Sequence, residues 1–239
     1  VVPIRDDNPT QTTPYVTYAL IVINIAVFIY ELSLAGPSLE AFLRDWAVVP
    51  RELTASLGGQ TIVQGPPELL TLITSQFLHG GFLHVGGNML YLWIFGNNVE
   101  DRMGHVRFTV FYLLCGVLAS LAQWYFSQGS NIPSLGASGA IAGVMGAYFL
   151  KFPGTKILTL LPLGFLLLPI RIPAIFFLGI WFAQQALYGL ASLQAPTNIG
   201  MESGGVAYWA HAGGFVFGAL LAPLFGMLSK PRDPYSGYR

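Results

Sequence analysis

Six apolar runs, each near the roughly 20 residues that a bilayer requires, dominate this chain of 239 residues. They lie at about 15–34, 83–99, 108–126, 137–152, 172–193 and 205–228. Between them there is little to cover a water-soluble surface. Hydrophobic residues make up 54% of the chain and charged residues only 9%, against roughly 25% charged in an average soluble domain. The expected class is therefore an all-α integral membrane protein with six transmembrane helices. The 28 glycines suit that class, because small residues let membrane helices approach closely. Net charge is zero, so nothing points to nucleic acid as a partner. Cys115 stands alone in an apolar run and reads as a small packing residue, with no intrachain disulfide available to it.

Basic residues set the orientation. With six spans, Arg5, Arg102, Arg107, Lys151, Lys156, Arg171, Lys230, Arg232 and Arg239 fall on one side, and only Arg44 and Arg51 on the other. Nine against two predicts that both termini are cytoplasmic. The first run has no basic stretch before it and no small-residue cleavage site after it, so it reads as a span and not as a secretory signal. Thr13-Pro14 predicts the start of the first helix, in the order cap then proline. The fourth span is short and should begin below the outer membrane surface.

The segment 157–170 is too short and too broken, by Pro162, Gly164 and Pro169, to be a seventh span. It reads as a hairpin at the cytoplasmic interface. In the long loop 35–82, Leu39, Phe42, Leu43 and Trp46 recur at helical spacing beside Glu40, Arg44 and Asp45. That pattern predicts an amphipathic helix in the outer interface, ended by Pro50. A second short helix is expected from Pro67-Glu68 to Leu78. The chain divides into a cytoplasmic segment 1–14, a membrane domain 15–228, and a tail 229–239 expected to be disordered and cytoplasmic.

Within these spans stand a few groups that lipid does not tolerate cheaply. Ionisable residues in membrane helices usually face a cavity and mark function. Ser138, in Gly136-Ala137-Ser138-Gly139, opens the fourth span. His211, in Ala210-His211-Ala212-Gly213-Gly214, is the histidine of the sixth. A serine and a histidine on different helices are the minimum set for nucleophilic catalysis. Ser138 taken alone is a small residue at a tight crossing, and His211 taken alone is a structural hydrogen-bonder. Their surroundings argue for more. Ala210, Gly214, Gly218 and Ala222 form a ridge of small residues at i, i+4 spacing, and Gly139 with Gly143 forms a notch beside Ser138. Such surfaces let backbones pack closely enough for a short serine to reach an imidazole within roughly 3 Å.

His84 and Asn88, four residues apart, share one helix face. They are either interhelical glue or donors to a tetrahedral oxyanion. Ser138 would add its own backbone N–H at a helix N-terminus, where unpaired donors and positive partial charge gather. A metal site is a poor reading, since His79 and His84 are five apart and no HExxH occurs. A paired-aspartate mechanism fails because acidic residues occur in the spans only near their ends. His105, between Arg102 and Arg107, reads as solvated. No cofactor is expected.

These motifs together resemble those of the rhomboid intramembrane serine proteases, over roughly residues 13–228. His79-Gly80-Gly81-Phe82-Leu83-His84 followed by Asn88 is similar to the family's second-helix signature. Gly136-Ala137-Ser138-Gly139 resembles its nucleophile motif, and Ala210-His211 with Gly214 and Gly218 its sixth-helix motif. Val99-Glu100-Asp101-Arg102 resembles the polar turn after the second helix. The resemblance implies a six-helix rhomboid-like bundle that hydrolyses peptide bonds in or beside transmembrane segments of other proteins. Ser138 would be nucleophile and His211 general base, with His84, Asn88 and the Ser138 amide as oxyanion hole. It implies lateral substrate entry past the fifth helix, loop 194–204 as a cap, and a preference for a small side chain before the cut. The expected setting is a multi-pass protein of a bacterial plasma (inner) membrane.

One position departs from the pattern. Some bacterial members carry a tyrosine four residues after the nucleophile, stacked on the histidine, and here that residue is Ala142. Tyr148 and Tyr112 are both candidates to replace it. Two other functions compete. A catalytically inactive rhomboid-like binding or trafficking factor usually lacks the serine or the histidine. A small-molecule transporter would need a polar pathway that the spans do not supply.

Overall fold

Helices carry almost all of the bundle, as the apolar runs predict. A computed structural model describes residues 2–60, 65–164, 166–194 and 206–229. The described helices are α1 (Tyr15–Ser33), α2 (Pro37–Trp46), α3 (Pro50–Leu57), α4 (Glu68–Thr74), α5 (Phe82–Tyr91), α6 (Asn97–Met103), α7 (His105–Ser127), α8 (Ser138–Lys151), α9 (Ala174–Gln194) and α10 (Tyr208–Leu221). A π-helical stretch, Leu92–Gly96, joins α5 to α6. A helix therefore covers each of the six apolar runs. Three of them, α1, α7 and α9, are long and apolar enough to cross a membrane by length and composition. Their outer faces are oily, with Val22 64% and Ile180 69% exposed, which suits contact with lipid and not with water.

Glycine decides which helices touch most closely. A Cβ on Gly214 would overlap the carbonyl of Gly139, and one on Gly218 would overlap Gly143. Gly146 lies as tightly against the backbone of Phe215. The ridge on α10 thus seats in the notch on α8, backbone to backbone. On its other side α8 meets α7, where a Cβ on Gly139 would come 2.6 Å from the Ala119 methyl. Cys115 is fully buried and packs against Gly143, the role expected for it.

Acidic side chains of α6 close the start of α1. Helix α1 begins at Tyr15 with Pro14 in the cap position and no side-chain cap, so Thr13 does not play the part expected. The orphan N–H groups of Val16 and Thr17 donate instead to the Glu100 carboxylate, at 2.9 and 2.7 Å. Asp101 takes the N–H of Thr12 at 2.7 Å. A carboxylate is well placed there, since a helix N-terminus offers unpaired donors and positive partial charge. His105 is exposed, as expected, and also pairs with Glu100, its Nδ1 2.6 Å from Oε1.

The fold is not all-α. Strands β1 (Val2–Asp6), β2 (Lys156–Leu163) and β3 (Leu166–Pro173) form an antiparallel sheet in the order β1-β2-β3. The hairpin expected at 157–170 is present as β2 and β3, with Lys156 opposite Pro173 and Leu163 opposite Leu166. The N-terminal strand that completes it went unforeseen. In the long loop, α2 matches the amphipathic helix, and α4 with a 3₁₀ turn at Ser75–Phe77 matches the second. Pro50 ends nothing there. It is the first residue of α3, where its missing N–H costs no hydrogen bond. The tail beyond Ser229 lies outside the described residues, as does most of loop 194–204.

Candidate active site

Two helix starts and one close crossing assemble the site. Gly136, at φ +123°, turns the backbone into α8, and a Cβ there would strike the His84 ring 2.7 Å from Nε2. Only glycine reaches that conformation without strain. Its N–H donates to the Ser75 carbonyl at 2.8 Å, which fixes the approach to the helix. Ser138 is the first residue of α8. From α10, pressed against α8 by the glycine contacts, His211 points its Nε2 to the Ser138 Oγ at 2.8 Å. The two residues singled out from different apolar runs are thus a hydrogen-bonded pair, partly buried within the bundle.

The other two expected residues lie on α5. His84 reaches the same turn, with its ring against Gly136, and its Nδ1 accepts the Gly80 N–H at 3.2 Å. That bond leaves Nε2 as the nitrogen facing the turn before Ser138. Asn88 is buried, and its Nδ2 has no hydrogen-bond partner among the described residues. A buried, unpaired amide donor costs roughly 1–3 kcal/mol, a cost that fits a group kept free for a ligand atom. A narrow crevice opens on Ser138, with Ser75, Ser134 and Gly136 in its walls. A roomier cavity of about 610 Å³ lies at the opposite end of the bundle, between Arg102, Arg107 and the turn at 226–229. It contains neither Ser138 nor His211 and is not the site.

Among the described residues, nothing links Tyr148 or Tyr112 to His211. The Tyr148 hydroxyl donates to Asp6, and the Tyr112 hydroxyl is buried with no partner among the described residues. Helix α9 supplies what Ala142 lacks. Trp181 lies over the imidazole, ring centres 5.7 Å apart and planes 32° from parallel. The Gln185 Oε1 is 2.8 Å from His211 Nδ1. Sequence reasoning passed over both, although an amide in an apolar span, here the pair Gln184-Gln185, is itself a signal of function. Glu31 was also missed. Buried near the end of α1, it accepts the His79 N–H at 3.1 Å and anchors the loop that leads into α5.

A serine hydroxyl hydrogen-bonded to an imidazole, with the His84 ring at the turn before the serine, is an arrangement that acyl transfer can use, and comparison with known proteins gives the family. The rhomboid domain model matches residues 66–228. The chain belongs to the rhomboid family. It is 30% identical to Rhomboid protein 1, mitochondrial, of Saccharomyces cerevisiae over 208 residues, which cover 85% of this chain and 51% of that protein. It is 34% identical to the Rhomboid protease GluP of Bacillus subtilis over 161 residues, 62% of this chain and 29% of that one. It is 33% identical to the Presenilin-associated rhomboid-like protein A, mitochondrial, of Danio rerio over 157 residues, 62% and 36%. The chain spans about half or less of the length of these relatives. Mitochondrial and bacterial proteins both occur among them, so they give no support to a bacterial plasma membrane in particular. What stands is a rhomboid-family membrane protein with apolar helices.

Proposed function

We propose that this rhomboid-family chain is a serine endopeptidase that cuts other membrane proteins in or beside their transmembrane segments. The observation that carries the reading is the 2.8 Å contact between Ser138 Oγ and His211 Nε2. Neutral His211 takes the hydroxyl proton as Oγ attacks the scissile carbonyl carbon. The carbonyl oxygen becomes an oxyanion, held by the Ser138 N–H, His84 Nε2–H and Asn88 Nδ2–H. His211 then gives its proton to the departing amine, leaving an acyl-enzyme. Water entering by the crevice repeats the sequence and releases Ser138. No cofactor or metal is needed in this scheme.

The same reading gives six spans with both termini cytoplasmic. Arg5, Arg102, Arg107, Lys151, Lys156 and Arg171 belong to the end of the bundle that carries the sheet, while Arg44 and Arg51 belong to the end that carries Ser138. Substrate helices would approach past α9. An inactive binding factor has no use for a serine and a histidine at hydrogen-bond distance, so the protease is the better supported reading.

Incubation of the purified protein with a model transmembrane substrate and with a fluorophosphonate probe tests it. Wild type should cleave and label, and Ser138→Ala and His211→Ala should each abolish cleavage while melting normally. The double variant should lose no more than either single one, because members of one catalytic unit fail together. Ordinary turnover by Ser138→Ala would refute the serine mechanism.

A further inference from the structure

A dyad leaves one nitrogen of its histidine unexplained. For His211 Nε2 to accept the Ser138 proton, the ring must be neutral and carry its own proton on Nδ1. That Nδ1–H points into the bundle, where an unpaired donor is costly. With the opposite tautomer, Nε2 would donate to Ser138 and could accept nothing. Whatever group faces Nδ1 therefore decides whether the pair is competent.

The group that faces it is an amide on a third helix. Gln185, 7% exposed on α9, sets Oε1 2.8 Å from Nδ1. Oε1 has no proton to give, so it can only accept, and it selects the Nδ1–H tautomer. Trp181, one helical turn earlier, covers the ring face and limits its rotation. We propose that Gln185 is a positioning residue of the active site, whose side-chain carbonyl holds His211 in the tautomer and orientation that let it act as base. This rests on the Ser138–His211 reading above. The acceptor stands on a helix that carries neither member of the dyad. The base is therefore correctly held only while α9 is seated, through Trp181 and Phe182 on Phe215 of α10.

The arrangement differs from a buried aspartate in the same place. A neutral amide orients the ring but adds no negative charge to stabilise the imidazolium. Replacing it by a carboxylate should keep the orientation and favour the protonated ring, which moves the acid limb of the pH–rate profile to higher pH.

The test uses Gln185→Leu and Gln185→Glu in the full chain, with Ser138→Ala as reference. For Gln185→Leu we expect kcat lower by roughly 10–10²-fold, KM little changed and the melting temperature within a few degrees of wild type. For Gln185→Glu we expect much of that kcat restored at high pH, and an acid limb displaced upward by about half a pH unit or more. A purely structural glutamine would instead give early melting with a normal pH profile in the folded fraction. Overturning results are full kcat in Gln185→Leu, or a Gln185→Glu profile that superimposes on wild type. If Ser138→Ala itself still cleaves, the dyad reading has failed and the role of Gln185 falls with it, whereas an inactive Ser138→Ala beside a fully active Gln185→Leu overturns the role of Gln185 alone.

Discussion

At the scale of single residues the open choice is between catalysis and glue for His84 and Asn88. A donor aimed at an oxyanion acts most strongly as charge develops on the scissile carbonyl. Losing it lowers kcat, by up to roughly 10²–10³-fold for a strong donor, and leaves KM much less affected. A structural hydrogen bond between membrane helices averages only about 0.6 kcal/mol, and its loss shows as earlier melting. The unpartnered Asn88 Nδ2 favours the first outcome, because among the described residues it has no bond to lose. Asn88→Ala is therefore expected to melt like wild type and to turn over slowly. Measured kcat, KM and melting temperature decide it, and early melting with normal turnover would make the residue glue. Ser138, His211, His84 and Asn88 stand out in the sequence because each is polar where its neighbours are apolar. Gln185 was equally polar, yet its partner lies 26 positions away on a helix whose seating no spacing rule supplies. Trp181 was invisible for a different reason, since an aromatic residue in an apolar span has no contrast with its neighbours.

At the scale of elements the site depends on how closely α8 and α10 approach. The i, i+4 pattern of small residues foretold that contact, and the structure has Gly214 on Gly139 and Gly218 on Gly143. Gly218→Ala should wedge the two helices apart, at a cost on the order of 1–3 kcal/mol for overpacking. A displacement of about 1 Å at reacting atoms can cost roughly 10²-fold in rate. The expected outcome is a lower melting temperature together with turnover reduced in the folded fraction. Gly154→Ala is the control, because nothing lies within 4 Å of a Cβ there. Equal activity in the two variants would mean that the crossing does not set the spacing of the pair. Less of the strand structure was legible. The prolines and the glycine at 162–169 argue against a span, but they do not disclose a ladder with an N-terminal partner. Five residues at the start of a chain carry too little periodicity to mark β1. Pro50 misled because a proline ends one helix and begins another with equal ease.

For the whole molecule, topology is the first expectation. A phosphatase fused after Arg239 should be inactive, and one inserted in the 35–82 loop active, if both termini are cytoplasmic. The reverse pattern would overturn the orientation drawn from the basic residues.

The sheet end carries the second whole-molecule expectation, since β1 ties the N-terminus to the hairpin and to the base of α8. Asp6, the last residue of β1, accepts from Tyr148 of α8 and from the Asn98 amide at 2.9 Å. Burial is the main reason that its carboxyl is raised to about 6, with the Tyr148 hydrogen bond pulling the other way. Below about pH 4 the folded and unfolded chains both hold this proton, and well above pH 6 neither does. In between, the folded chain keeps a proton that the unfolded chain has lost, so stability falls as pH rises through that window. Allowing for partial exposure, the loss is on the order of 1–2 kcal/mol. Asp6→Asn keeps an acceptor for Tyr148 and removes the titration. Melting in detergent across pH 4–8 should show the wild type losing ground to Asp6→Asn as pH rises, with most of the change complete near pH 7. Because Asp7 and Glu68 remain in both proteins, the difference between the two curves isolates Asp6. A variant that is least stable relative to wild type at pH 8 would mean the opposite, that the Asp6 anion holds β1 against α8 and its charge is a net support of the fold.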